Sequence, residues 1–350
     1  MSSTQLTRNN ARYVAWAVGP YLVSVLLAFV VGGAIILALG HDPFQAIESI
    51  ITTSFGTGFG LVETMHKWVA IVLCALAFTI PLATGKFNIG AEGQMLVGAT
   101  ASVAIGILWS DLPAIILLPC VLLAGILAGA VWAGIAAILL ARFNVNEILS
   151  TVLLNFVSFQ VIDYVASAVW PDKGAGHPST ISVGDGAMLP LIGEPPMHTG
   201  VIIALVVCVA SAVAMRRSAT GFEMRAVGAS LRASLIHGIR TSRLTQLGLI
   251  SGGAFAGLAG AIEVAGVHGK MLEGMQSNFL ILGIIVGLMA RGNLIAVPIV
   301  AFGIAVLEIG ASAMQRTAQV PVETVLIIEA LILIFLLLSD VVRDRFRSAA

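Results

Sequence analysis

Long apolar runs, separated by short polar or glycine-rich stretches, recur along almost the whole chain. Runs long enough to cross a bilayer as a helix, which takes roughly 20 apolar residues, are found near 13–40, 67–85, 88–110, 113–141, 146–170, 199–215, 244–268, 278–290, 293–315 and 320–341. This pattern predicts an all-α polytopic membrane protein of about ten transmembrane helices. The run at 278–290 is short. A re-entrant or broken helix there leaves about eight to nine spans plus re-entrant segments. The first run follows Arg8 and Arg12 and extends from Tyr13 to Leu39. A signal peptide's apolar core is about 7–15 residues, so the run reads as the first span rather than a cleavable signal.

Composition agrees with a lipid-facing chain. Hydrophobic residues make up 58% and charged residues 10%, against about 25% charged in a soluble domain, and mean hydropathy is +1.02. Basic and acidic residues balance at 18 each, which argues against a nucleic-acid partner. Cys74, Cys120 and Cys208 lie in apolar runs without metal-ligand or paired spacing, so they read as small core residues.

The distribution of positive charge orients the spans. With the N-terminus in the cytoplasm, 14 of the 18 Lys and Arg residues fall inside: Arg8, Arg12, Lys86, Arg142, six from Arg216 to Arg243, Arg291, Arg343, Arg345 and Arg347. Lys67, Lys173, Lys270 and Arg316 fall outside. Both termini are therefore expected in the cytoplasm. Residues 171–198, rich in proline and without arginine, form an outward loop, and 216–243 form an inward one with six arginines against one acid, Glu223. Neither loop is long enough to bury a core of its own, so 1–350 is expected to be a single transmembrane domain.

Within the spans, Gly125 and Gly129, Gly253 and Gly257, and Gly283 and Gly287 form small-xxx-small pairs. In lipid, helices associate chiefly through close packing at such residues. Three polar stretches carry candidate function. The first, Gly85–Met95, reads GKFNIGAEGQM and puts an amide and a carboxylate at the mouth of a span, where unpaired polar groups are costly. On one helix, Asn88 and Glu92 would share a face, lining a pathway or satisfying freed backbone groups of a broken helix. In the second, Arg142 is positioned to pair with Glu147, and Asn155, Phe156, Phe159, Gln160 and Asp163 bring amides and rings to helical spacing. A polar, partly aromatic ligand needs that mixture, and interhelical hydrogen bonding would use it equally. The third is the inward loop from Gly221 through Ser230, His237 and Gly238. It reads as a short amphipathic helix whose small residues, Ala226, Gly228, Ala229 and Ala233, suit docking into a partner's groove.

These stretches resemble the branched-chain amino acid, ribose and nucleoside family of ABC importer permeases, and most closely its simple-sugar and nucleoside members. The marks are FNIGAEGQM at Phe87–Met95, NE at Asn146–Glu147 and RAVG at Arg225–Gly228. The resemblance extends nearly from end to end. It implies that 221–239 docks on an ATPase subunit, with Glu223, Arg225, Ala226, Gly228, Ala229, Ala233 and Gly238 as coupling residues. Two departures stand out: Ser230-Leu231 where members often have Asn-Pro, and Ala136-Ala137 where a proline is frequent.

No P-loop is present, because Gly269-Lys270 is followed by Met271 and the position of the first glycine holds Val264. ATP is therefore expected to be bound and hydrolysed by a partner, with no cofactor or metal on this chain and no enzymatic activity of its own. A secondary transporter would show inverted repeats, which the sequence lacks, and an intramembrane enzyme would need a base facing Ser312, whose span has no histidine. The expected assembly has two permease subunits, identical or related, two ATPase subunits, and a periplasmic or lipid-anchored solute-binding protein, in a bacterial inner membrane. Its pathway, with Asn88, Glu92, Asn155, Phe156, Phe159 and Gln160 as substrate-facing candidates, is expected to carry a nucleoside or simple sugar by alternating access, and branched-chain amino acids are the remaining option.

Overall fold

The computed structural model describes residue 19 and residues 23–348, with side chains through 339. Arg8, Arg12, the beginning of the first expected span and the side chains of Arg343, Arg345 and Arg347 lie outside the described residues. The helices are α1 (Val23–Ala38), α2 (Pro43–Phe55), α3 (Gly58–Leu82), α4 (Ala91–Leu108), α5 (Ala114–Phe143), α6 (Glu147–Tyr164), α7 (Gly200–Arg217), α8 (Ala219–Ala229), α9 (Leu231–Ile236), α10 (Thr241–Ile262), α11 (Phe279–Met289), α12 (Ala296–Ala318) and α13 (Glu323–Ser348). Among the described residues, 7 helices are long and apolar enough to span a membrane, or up to 8 if the bent pair α1–α2 counts as one span. The protein is an all-α, multi-pass membrane protein. Helix α11 is short, as expected for 278–290.

Helix α2 was not foreseen. The apolar run stops at Gly40, whose φ of +84° turns the chain out of α1. The Asp42 carboxylate then accepts a bond from the Phe44 N–H at 2.8 Å, with Pro43 opening the first turn. The new axis departs by 119° from α1. A local cap thus starts a helix in a stretch whose hydropathy alone signals only a connection.

The chain forms two compact units, residues 1–60 with 306–350, and residues 61–305. In the first, Gly32 meets Ile328 and Gly310 meets Ile50 so closely that a Cβ on either glycine would lie 2.5 Å from the facing isoleucine. The Ser54 hydroxyl donates to the Val306 carbonyl at 3.0 Å. In the second unit, α4, α5 and α10 interlock at glycines. A Cβ on Gly257 would sit 2.1 Å from the Gly125 carbonyl, one on Gly129 2.3 Å from that of Gly253, and one on Gly260 2.0 Å from that of Met95. The third expected pair packs on α3, Gly283 against Cys74 and Gly287 against Phe78. All three pairs act as packing surfaces, as lipid-immersed helices require.

The 171–198 segment is a built cap on the end of α10 and the residues after it. Lys270 donates to the Asp172 carboxylate at 2.9 Å, holding that carboxyl below its ordinary range. Val183 N–H donates to the Gly269 carbonyl at 2.8 Å and Leu189 N–H to that of Ala265 at 2.7 Å. A small hairpin, β1 (Leu191–Ile192) and β2 (Met197–His198), closes it. The fully buried His198 ring stacks on His66 at 4.0 Å between ring centroids.

Candidate functional site

Helix α7 ends in a tight reversal. At Ser218 the hydroxyl donates to the Ala214 carbonyl at 2.6 Å and accepts from the Gly221 N–H at 3.0 Å, which finishes one helix and caps the next. Gly221 is needed there, because a Cβ would lie 2.5 Å from the Met215 carbonyl. The Arg225 guanidinium donates to that same carbonyl, satisfying an orphan acceptor at the end of α7. Met224 and Val227 are buried and fix one face of α8. Ser230 caps α9 by accepting from the Ala233 N–H at 3.3 Å. Gly238, with φ +75°, releases the chain toward α10.

Gly228 is exposed but turns its Cα face onto a backbone turn. A Cβ there would lie 2.3 Å from the Ala83 carbonyl and 3.2 Å from the Gly85 nitrogen. Helix α8 therefore presses its backbone against the turn joining α3 to α4. That turn is held by Thr84, whose hydroxyl donates to the Pro81 carbonyl at 2.7 Å, and by Gly85 at φ +74°.

Immediately beyond it lies a saturated amide cluster. Asn88, fully buried, donates to the Ala77 carbonyl at 3.1 Å and to Gln94 Oε1 at 2.8 Å. Its oxygen accepts from the Gly90 N–H at 3.1 Å and from Gln94 Nε2 at 2.8 Å. Both donors and both acceptor positions of the Asn88 amide are thus used. Asn155 reaches across from α6, accepting from the Gly93 N–H at 2.9 Å and donating to the Ile89 carbonyl at 2.8 Å. Its side chain thereby caps α4, whose own N-cap, Gly90, has none to offer. A Cβ on Gly93 would lie 2.7 Å from the Asn155 oxygen, so the glycine is what lets the amide in. Lys86 and Glu147, paired at 3.4 Å, hold the same joint at its edge.

Several expected placements change. Helix α4 begins at Ala91, so Asn88 and Glu92 do not share a helix face. Asn88 belongs to the irregular segment between Gly85 and Gly90, while Glu92 is half-buried in the first turn of α4, where a negative charge complements the helix dipole. Glu147 takes Lys86 rather than Arg142, because the left-handed Asn144 (φ 55°) ends α5 and separates the two residues. On α6, Asn155 turns to α4 whereas Phe156 and Gln160 are exposed. Phe156 and Phe159 meet edge to face at 6.2 Å. Of the coupling candidates, Arg225 and Gly228 contact the chain itself, and Ala229 and Ala233 are exposed. Ala226 is half-buried, and Glu223 lines a cavity of about 410 Å³ with His237, Gly238, Arg240 and Arg243.

Two features escaped the sequence reading. Gln94 completes the amide cluster, and a buried amide inside an apolar run was its only signal. Phe222, Leu231, Leu235 and Ile236, exposed by 55% to 76%, give α8 and α9 an apolar outer surface. Their spacing in a basic loop was a signal that the small residues overshadowed.

A family model described as branched-chain amino acid transport system / permease component matches residues 60–337. The glucose ABC transporter permease protein of Haloferax volcanii is 35% identical over 338 residues, covering 93% of this chain and 89% of its own. The guanosine ABC transporter permease protein of Bacillus subtilis is 33% identical over 327 residues, covering 92% and 93%. The nucleoside ABC transporter permease protein of Lactococcus lactis is 27% identical over 331 residues, covering 92% and 91%.

Proposed function

The chain belongs to the branched-chain amino acid transport system / permease component family, and from there we propose that it carries a nucleoside, with a simple sugar as second reading. It is the membrane-spanning permease subunit of an ABC importer, working with a separate ATPase subunit and a solute-binding protein. In the finer reading, ten spans (α1, α3–α7 and α10–α13) leave both termini in the cytoplasm of a bacterial inner membrane. Two permease subunits enclose one pathway. The 171–198 cap receives solute from a periplasmic or lipid-anchored binding protein, and 216–243 docks on the ATPase. ATP is the partner's ligand, and this chain needs no cofactor.

The observation that carries the coupling role is the approach of Gly228 to Ala83. A push on α8 has no side chain through which to be absorbed. It passes to the 83–85 turn, through the Asn88–Gln94 pair to α4, and through Asn155 to α6. In this reading Asn88 and Asn155 hold the walls, while Glu92, Phe156, Phe159 and Gln160 face solute. Rings that stack and amides that meet hydroxyls suit a nucleoside. The names of the Bacillus and Lactococcus relatives favour that substrate, and the name of the Haloferax relative favours the sugar.

Uptake of labelled guanosine, adenosine, glucose and ribose by cells with the gene intact, deleted or carrying Gly228→Trp tests the proposal. Nucleoside uptake is expected only in the intact strain. Loss of glucose uptake alone selects the sugar reading. Normal uptake of all four in the deletion strain overturns both substrates, and normal uptake with Gly228→Trp overturns the coupling role.

A further inference from the structure

The base of α7 carries a cationic cavity that shares Arg225 and Gly228 with the coupling surface. It measures about 530 Å³ and is lined by Arg216, Arg225, Arg291 and Asn293 together with apolar residues of α3 and α7. Its described lining includes three arginines and no carboxylate. Arg225 is tethered through the Met215 carbonyl, so its fork is pre-positioned rather than loose. Asn293 is oriented by accepting from the Ile295 N–H at 3.1 Å.

A second cavity of about 290 Å³ adjoins it, formed by Val209, Ala212, Val213, Arg216, Arg217 and Ile295. Arg216 and Ala212 line both cavities. A guanidinium pocket thus opens directly onto an apolar groove along α7, at the level where the positive ends of the spans meet lipid headgroups. Free inorganic phosphate would use the first cavity and leave the groove empty. A molecule with an anionic phosphate head and an acyl tail fills both.

We propose that this paired cavity binds an anionic phospholipid, with the phosphate on Arg216, Arg225 and Arg291 and an acyl chain along Val209, Ala212 and Val213. The inference rests on the permease reading, which sets this end of α7 at the cytoplasmic leaflet. Basic pockets between spans on that side are suited to acidic headgroups. Gly228 lines the same cavity, so an occupied site backs the contact through which α8 pushes on the 83–85 turn.

The test is native mass spectrometry of the full chain in detergent, titrated with phosphatidylglycerol or phosphatidylcholine. Wild type, Arg216→Gln/Arg291→Gln and Ala212→Phe are compared, and each is first shown monodisperse. Phosphatidylglycerol is expected to be retained selectively by wild type. The double variant should bind it about twenty-five-fold more weakly, at about fivefold per basic side chain, and Ala212→Phe should also lose it by filling the groove. Equal phosphatidylglycerol occupancy in wild type and the double variant overturns the proposal. Displacement by millimolar inorganic phosphate, with no effect of Ala212→Phe, makes this a free-anion site. Displacement by the purified ATPase subunit makes the surface a protein contact instead. ATP-driven uptake by proteoliposomes of the wild-type permease assembled with its ATPase subunit and binding protein, with and without phosphatidylglycerol, separates the two readings. Absence of uptake in both, with selective lipid binding intact, fails the permease reading and leaves the lipid site standing.

Discussion

Helices α10 and α7 are both apolar, yet they are built on opposite plans. Helix α10 meets α5 at Gly253 and Gly257 with backbone against backbone, and Leu249, Ala256, Ala259, Ala261 and Ile262 along it are wholly buried. Helix α7 instead presents Ile202, Leu205, Val206, Val209 and Val213 to its surroundings and runs directly into the α8–α9 hairpin. A glycine contact has no rotamer to relax, so α4, α5 and α10 move together or not at all. A helix whose outward face is coated by aliphatic side chains, with no backbone interlock on that face, can slide against lipid or a partner subunit at little cost. The difference sets backbone interlock in the core against a side-chain-coated surface on α7.

The sharpest way to break the contrast is Gly257→Leu. Its Cβ would already overlap the Gly125 carbonyl, and backbone cannot withdraw as a side chain can. No monodisperse protein is expected in size-exclusion chromatography. Val206→Leu, on the exposed face of α7, should purify and melt like wild type.

Gly228→Val probes the junction between the two regions. Uptake should fall at least about tenfold, or about 1.4 kcal/mol of activation, while the purified chain stays monodisperse, because the exposed end of α8 can lift from the turn where the enclosed α10 cannot. A folded variant with normal uptake would show that α8 does not push through Ala83.

Next in size is the amide joint. Asn88→Ala leaves Gln94 buried without its partner, which costs about 1–3 kcal/mol. Gln94→Ala should cost a similar amount. The double variant should lose less than the sum of the two, because both singles break one interaction. Additive losses in thermal melting would mean the two amides act separately.

Ile236→Ser, on the outer surface of α9, should leave melting unchanged and weaken ATPase binding about tenfold in a pull-down titration. Unchanged binding would point to a different docking surface.

The smallest effect concerns pH at the opposite end of α7. Burial, and then the neighbouring His66, lowers the His198 imidazole from 6.5 to about 4. The unfolded chain therefore takes up the proton first, so stability is full above about pH 6.5 and declines as pH falls toward 4. Melting temperature should drop over that window in wild type and less so in His198→Phe. An equal drop in both would assign the dependence to other groups.

Much of this was legible before any coordinates. The polar stretch at Phe87–Met95 announced a joint because an amide and a carboxylate in an apolar chain need partners, and the glycine pairs announced helix packing because nothing else in lipid rewards them. The partners themselves were not legible. Asn88 finds Gln94 across Gly90, where a Cβ would lie 2.9 Å from the Gln94 amide nitrogen, and Asn155 finds Gly93 from 62 positions away. Glu147 likewise chose Lys86 over the nearer Arg142.

Sequence alone determined that this is a many-helix membrane protein, which of its loops is basic, and where its polar groups had to be satisfied. Periodic properties such as hydropathy, charge and small-residue spacing are local, and they survive reading one residue at a time. Tertiary structure decided which helix faces meet, that Gly228 turns onto Ala83, and that Phe222, Leu231, Leu235 and Ile236 are left outside. Those outcomes depend on caps and backbone approaches between segments far apart in the chain, where a few tenths of an ångström separate contact from overlap.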